Sequence, residues 1–192
     1  MSDLIYKGFP TDEEYQKNVG TWIDVDFPII IRTTGPNIPT LTTFNGNLTM
    51  PQWGVNNFNV CESQEFVHSW KEGSTCYWHL HLTTNGTNVD DRYVRFEVEY
   101  GYTAGGNMAD WIFPATLDSG DLLIPANTPD KTQMILGLGN FTPSTSKIGD
   151  HCLARLRRIA ATGTAPTGDP WIPMLQMHIL TNSSGSRNMT SK

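Results

Sequence analysis

Hydrophobic and polar residues alternate most regularly in the middle of this chain. In residues 76–82, Cys, Trp and two Leu alternate with Tyr and two His. In residues 94–102, two Val, Phe and two Tyr alternate with Arg, two Glu and Gly. Alternation with a period of two is typical of a β-strand whose two sides meet different surroundings. The Asn85-Gly86 pair between the segments is typical of a tight turn, so the pattern predicts a two-sided antiparallel hairpin.

Shorter strands are predicted on both sides of this hairpin. They cover residues 22–31, 41–50, 132–138, 152–159 and 171–181. Pro28 interrupts the first of them, which favours an edge or bulged strand. The connections are rich in turn-forming residues, and a capping box at residues 11–15 predicts no more than one helical turn. We therefore predict an all-β fold with little helix, either a jelly roll or an antiparallel β-sandwich.

The length of 192 residues suits one compact domain. Residues 1–59 have the less regular pattern, and we predict an N-terminal arm with early strands there, which could serve as an attachment region. Residues 60–192 form the predicted jelly-roll body. We find no linker that would separate two domains and no internal repeat.

The composition argues against two kinds of partner. The net charge is −6, only 17% of the residues are charged, and Arg157-Arg158 is the longest basic run, so we expect no nucleic-acid binding. No segment approaches the roughly 18 apolar residues of a membrane span. The first residues do not resemble a secretory signal either. We therefore expect no membrane association.

Three cysteines, Cys61, Cys76 and Cys152, lack the spacing of a zinc site. An odd number of cysteines in a chain without a predicted signal favours buried free thiols. A disulfide between Cys61 and Cys76 is the alternative. No cofactor is expected.

One pair of residues raises the question of a metal site. Gly73, followed after five residues by His79-x-His81, matches the opening of the cupin metal motif. Residues two apart on a strand point the same way, so both imidazoles could bind one ion. The motif then requires a Glu a few residues later, which residues 82–86 do not provide. We expect His79 and His81 to form a structural pair at an interface, and a cupin-like metal-binding protein is an alternative.

No catalytic signature accompanies these residues. The chain has no nucleophile elbow and no phosphate-binding glycine motif. Glu97 and Glu99 share one strand face, but they alternate with apolar residues and fit a solvated or interface face. We predict that the chain is not an enzyme.

Sugar binding is the competing function. Exposed aromatic rings stack on sugar faces, and Asn and Asp side chains bind hydroxyl groups. The candidate rings are those of Trp53, Trp70 and Trp111, and with them Trp171. They would make the chain a carbohydrate-binding adhesin.

Five segments in a fixed order carry a resemblance to a known group of proteins. They are residues 66–73 (FVHSWKEG), 79–81 (HLH), 94–100 (VRFEVEY), 155–158 (RLRR) and 185–187 (GSR). The set resembles a group of phage and prophage proteins with the progression P-H-x-W/Y-K-E-G, H-x-H-W, V-x-W-x-x-E-Y, R-L-x-R and G-S-R. Val67, Leu82 and Phe96 depart from that progression.

The resemblance implies a jelly-roll virion component without enzymatic activity, such as a trimeric capsid decoration protein, a head fibre or a tail spike. Its expected partners are copies of itself, other virion proteins such as the capsid and, for an adhesin, a host surface glycan. On this interpretation His79 and His81 share a polar face with Glu97 and Glu99, and that face packs against a sister copy. Arg187 would close the interface by pairing with a carboxylate.

Overall fold

The computed structural model describes residues 21–30, 35–106 and 108–181. Throughout these ranges the chain is built of β-strands and loops, with no helix, which confirms the all-β class. The strands are β1 (Thr21–Phe27), β2 (Thr40–Asn45), β3 (Leu48–Gln52), β4 (Phe58–Val60), β5 (Gln64–Glu65), β6 (Cys76–Thr83), β7 (Arg92–Ala104), β8 (Asp110–Ile112), β9 (Leu117–Asp118), β10 (Leu122–Ile124), β11 (Gln133–Phe141), β12 (His151–Ile159) and β13 (Trp171–Thr181). The helical turn predicted at residues 11–15 lies outside the described residues.

The strands form two antiparallel sheets. The first sheet has the order β11-β6-β13-β3-β2, and β1 also pairs with β13. The second sheet has the order β10-β7-β12-β4, with β8 and β9 on β7 and β5 on β12. Strands from residues 21–60 therefore belong to both sheets, although the predicted division into an arm and a body stays a prediction.

The two sheets pack as a sandwich through faces that contain every second residue of each strand. Trp78, Leu80 and Leu82 of β6 point into the core, as do Phe96 and Val98 of β7, and none is more than 1% exposed. Burial of one large apolar side chain contributes about 1.5–3 kcal/mol. The alternation in the sequence therefore has its physical cause in a core shared by two sheets, and the predicted sandwich is confirmed.

The predicted hairpin between residues 76 and 102 is wrong. Strand β6 pairs with β11 and β13, whereas β7 pairs with β12, so the two strands belong to different sheets. The eight-residue loop 84–91 between them is too long for a two-residue turn. It is attached instead to the neighbouring loop, since Thr84 Oγ1 donates to the Pro129 carbonyl at 2.7 Å and Asp130 Oδ1 accepts from Gly86 N at 2.7 Å.

Because β6 and β7 belong to different sheets, their polar residues do not lie where the predicted hairpin would place them. His79 and His81 alternate with the core residues of β6 and therefore point away from the core on the first sheet. Glu97 and Glu99 do the same on the second sheet. The prediction that these four residues share one polar face is wrong, because they lie on opposite outer faces of the sandwich.

The cysteines follow the prediction of free thiols. Cys61, Cys76 and Cys152 are all buried and free, so the alternative disulfide is absent. Burial raises the pKa of the Cys61 thiol to about 12. Burial also raises the pKa values of Cys76 and Cys152. Because thiolate is the reactive form, these thiols are chemically inert in the folded protein.

A buried guanidinium joins three parts of the chain. Arg158 of β12 is 1% exposed, and its Nη1 donates to Asp169 Oδ1 at 2.5 Å and to the backbone carbonyl of Trp53. Nearby, the Trp53 amide donates to the Pro170 carbonyl at 2.9 Å. The Arg158 side chain therefore holds the loop after β3 and the loop before β13 against β12.

Replacement of Asp169, whose side chain is 46% exposed, by Ala is expected to lower the free energy of unfolding by about 1–3 kcal/mol, because it leaves a buried guanidinium without one of its hydrogen-bond acceptors. Denaturant titration measures the loss. The control is Glu99→Ala, which removes one partner of an exposed pair and should cost less than about 1 kcal/mol. Similar losses in both variants would contradict a special role for the Arg158–Asp169 pair.

Candidate functional site

The outer side of the first sheet carries a connected group of polar side chains, here called the histidine face. Strand register brings Asp26 of β1, Gln176 of β13 and His79 of β6 opposite one another in a single row. Their neighbours in the face are His81, Asp24, His178 and Gln133. Antiparallel pairing places side chains of directly opposed residues close together, which is why residues distant in sequence meet here.

The amide of Gln176 is the centre of the histidine face. Its Nε2 donates to Asp26 Oδ1 at 2.6 Å. Its Oε1 lies 2.9 Å from His79 Nε2 and 2.7 Å from His81 Nε2. A carboxylate only accepts and an amide nitrogen only donates, so the contact with Asp26 determines the orientation of the amide. Both imidazoles must therefore carry a proton on Nε2.

The second nitrogen of His81 is also hydrogen-bonded. His81 Nδ1 lies 2.8 Å from Gln133 Nε2. Both ring nitrogens of His81 are engaged in hydrogen bonds, so neither has a lone pair available for an ion.

This arrangement does not favour the metal-binding alternative for His79 and His81. The two Nε2 atoms converge on the oxygen of Gln176 rather than on a vacant position. Within the described ranges, no group of three or more His, Cys, Asp or Glu side chains has the geometry to hold a metal ion. The histidine pair acts here as a hydrogen-bonding element of the sheet surface.

A carboxylate completes the histidine face at its β1 side. His178 Nδ1 donates to Asp24 Oδ1 at 2.6 Å, and this hydrogen bond lowers the pKa of Asp24. The same oxygen lies 3.7 Å from His79 Nε2. Burial nevertheless lowers the pKa of His79, and its attraction to Asp24 opposes that effect only in part. The ring of Trp22 stacks on His178, with centroids 5.1 Å apart.

The outer side of the second sheet carries opposite charges in two columns, here called the charged ladder. Glu97 and Glu99 of β7 form one column, and Arg155 and Arg157 of β12 form the other. Arg155 lies 2.7 Å from Glu99, and Arg157 lies 3.5 Å from Glu97. All four side chains are between 31% and 54% exposed. Such exposed pairs contribute about 0–1 kcal/mol each to stability, so the ladder does little for the fold.

Three of the four tryptophans proposed as sugar platforms are buried. Trp53 is 0% exposed and Trp70 is 1% exposed. The ring of Trp70 stacks on the ring of Phe66, with centroids 4.5 Å apart. Trp171 is also in the interior at 5% exposed, and its Nε1 donates to Thr42 Oγ1. The prediction that Trp53, Trp70 and Trp171 present their rings to a ligand is wrong, because these large apolar rings are buried in the interior instead.

Trp111 is the proposed platform that does lie at the surface. It is 41% exposed on β8 and stacks with Phe113, which is 69% exposed, at a centroid distance of 6.0 Å. The Phe113 ring lies over Gly101 of β7, where a Cβ atom would come within 2.7 Å of it. Phe113 was missed in the sequence, although a glycine within an aromatic-rich strand indicates that another group approaches the backbone closely.

Arg187 lies outside the described residues, so its pairing across an interface stays a prediction. Among the described residues, no helix is long and apolar enough to span a membrane. The sequence matches no protein-family model, and no curated protein matches it either. The functional interpretation therefore depends on the sequence motifs and on these two outer faces.

The lowered pKa of His79 in the histidine face predicts that the stability of the protein depends on pH. The pKa of His79 in the folded protein is lower than the ordinary value of 6.5. Below that ordinary value the unfolded chain binds a proton that folded His79 does not, so stability falls as the pH drops from 6.5 towards the folded pKa. Above 6.5 this contribution is constant. The loss is limited to about 1.4 kcal/mol for each unit by which the pKa is lowered.

Urea unfolding at pH 7.5 and pH 5.5 tests this dependence. His79→Gln is expected to reduce the difference in unfolding free energy between the two conditions, because the group with the lowered pKa is gone. His151→Gln, which changes an exposed histidine, serves as the control and should leave the difference as in the wild type. An unchanged difference in His79→Gln would contradict the lowered pKa.

Proposed function

We propose that the chain is a non-enzymatic structural component of a phage virion, which forms homotrimers as a capsid decoration or head-fibre protein. The proposal comes from the ordered set of motifs described above. It is compatible with the β-sandwich, because the jelly roll that the resemblance implies is built from two antiparallel sheets.

One observation supports the proposal most directly, because two of its motifs meet in the fold. Glu99 belongs to the segment that resembles V-x-W-x-x-E-Y, and Arg155 begins the segment that resembles R-L-x-R. The two side chains form an ion pair across β7 and β12 at 2.7 Å. In the same segments, Tyr100 and Leu156 lie in the core. These motif residues thus build the sandwich and its surface, as expected of a structural protein.

The mechanism of such a component is the repeated presentation of one surface. Several weak contacts made together raise the overall affinity by roughly 10²–10⁴ over a single contact, provided that the geometry lets them form at the same time. No catalytic residue is required. The partners would be sister copies and other virion proteins such as the capsid.

Light scattering coupled to size exclusion tests the proposal. We expect a particle of about three times the 21.4 kDa mass of one chain, and we expect the protein to sediment with phage particles. Antibody labelling of particles in micrographs would then show its position. A strict monomer at micromolar concentration that does not associate with particles would overturn the proposal.

A carbohydrate-binding adhesin is the second candidate, and the exposed ring of Trp111 favours it. The adjacent ring of Phe113 enlarges the apolar surface on which a sugar face could stack. On a glycan array, Trp111→Ala is expected to abolish binding that the wild type shows. Val89→Ala, which truncates another exposed apolar residue, should leave binding intact. Absence of glycan binding, or binding that survives Trp111→Ala, would remove this candidate.

A further inference from the structure

The side chains of the charged ladder are separated by the sign of their charge, although their ion pairs contribute little to the stability of the fold. Its two carboxylates lie in one column on β7 and its two guanidinium groups in the next column on β12. Neighbouring strands are about 4.8 Å apart, so the columns form adjacent negative and positive stripes. The histidine face has no such division, since its donors and acceptors bind one another through Gln176.

This arrangement is complementary to itself. A rotation by 180° about an axis that runs parallel to the strands, between β7 and β12, exchanges the two columns. The negative column of one copy then faces the positive column of the other, and each carboxylate gains a second guanidinium neighbour. We propose that two copies of this chain bind each other face to face through the charged ladder, about such a two-fold axis.

Apolar residues border the charged ladder on both sides. Val60 of β4 is 41% exposed on the side of β12, where it lies opposite Arg155 in the strand register. Trp111 and Phe113 are exposed on the side of β7, next to Thr103 and over Gly101. The rotation that exchanges the charged columns also exchanges these borders. The Val60 side of one copy therefore faces the aromatic side of the other.

The two parts of this surface have different roles in the contact. Aromatic side chains bury about 150–250 Å² each, so the borders supply the apolar area that gives affinity. The charged columns contribute orientation and specificity, because a shifted or turned copy would bring like charges together. The contact is isologous, with the same patch used by both chains.

This inference rests on the proposed self-association and names a surface for it. A two-fold contact cannot close a trimer, so the charged ladder would join chains that belong to neighbouring trimers. Glu97 and Glu99, two of the predicted interface residues, would then belong to this contact between trimers and not to the contact that closes a trimer. The histidine face does not take part in the ladder contact.

Charge reversal tests the contact with three variants. The acid-reversed variant carries Glu97→Arg and Glu99→Arg, and the base-reversed variant carries Arg155→Glu and Arg157→Glu. In each of them the facing columns have the same sign, so two-fold association should weaken at least tenfold. The full-swap variant carries all four changes, which restores opposite columns, and it should associate like the wild type.

Mixing gives the most specific measurement. In an equal mixture of the acid-reversed and base-reversed variants, a ladder of four positive side chains can face a ladder of four negative ones. Native mass spectrometry should therefore detect assemblies larger than a trimer in the mixture, although neither variant forms them alone. Circular dichroism and melting temperatures verify that each variant is folded. Asp90→Arg with Thr43→Arg and Leu48→Arg is the control, because it gives the same change in net charge as the acid-reversed variant at exposed positions away from the ladder and should leave association unchanged.

The outcomes separate this inference from the proposed function. Folded reversed variants that associate like the wild type, or a mixture that forms no assembly larger than a trimer, would overturn the ladder contact while leaving self-association through another surface. A wild-type chain that is monomeric would overturn both. Loss of association in the control variant would show that net charge, and not the ladder, governs the contact.

Discussion

The packing of β6 against β7 across one core is the interaction on which the rest of the structure depends. The ring of Trp78 on β6 lies 6.1 Å from the ring of Tyr100 on β7, and these strands belong to different sheets. Because each strand turns every second residue inward, each sheet must present the remaining residues on its outer side. The two outer faces are therefore consequences of a single apolar contact.

These outer faces differ in how their polar groups are satisfied. On the first sheet, hydrogen bonds through Gln176 give both histidines an acceptor for Nε2. On the second sheet, the paired charges of the ladder remain in contact with water. A surface whose polar groups are already bonded to one another has little to offer a partner. Exposed columns of charge keep their capacity for further contacts.

The sequence was informative about strands and less so about their partners. Alternation predicted β6 and β7 and showed that the two sides of each strand meet different surroundings, because it reports which side of a strand is apolar. Alternation contains no information on pairing, so Asn85-Gly86 was mistaken for a hairpin turn. Burial of Trp53 and Trp70 was missed for a similar reason, since a tryptophan in an irregular segment has no periodicity to show its direction. The contact of Phe113 with Gly101 depends on tertiary structure and had only the glycine as a signal.

The inert thiols have a practical consequence. The chain has three cysteines, all of them buried, and burial suppresses the thiolate that alkylating reagents and oxidants require. A cysteine introduced at an exposed position would thus be the reactive thiol of the folded protein, with no need to replace the native ones. Fluorophores, spin labels or crosslinkers could be attached at a chosen point on either sheet. For the same reason, copies of the native chain would remain free of interchain disulfides under oxidising conditions.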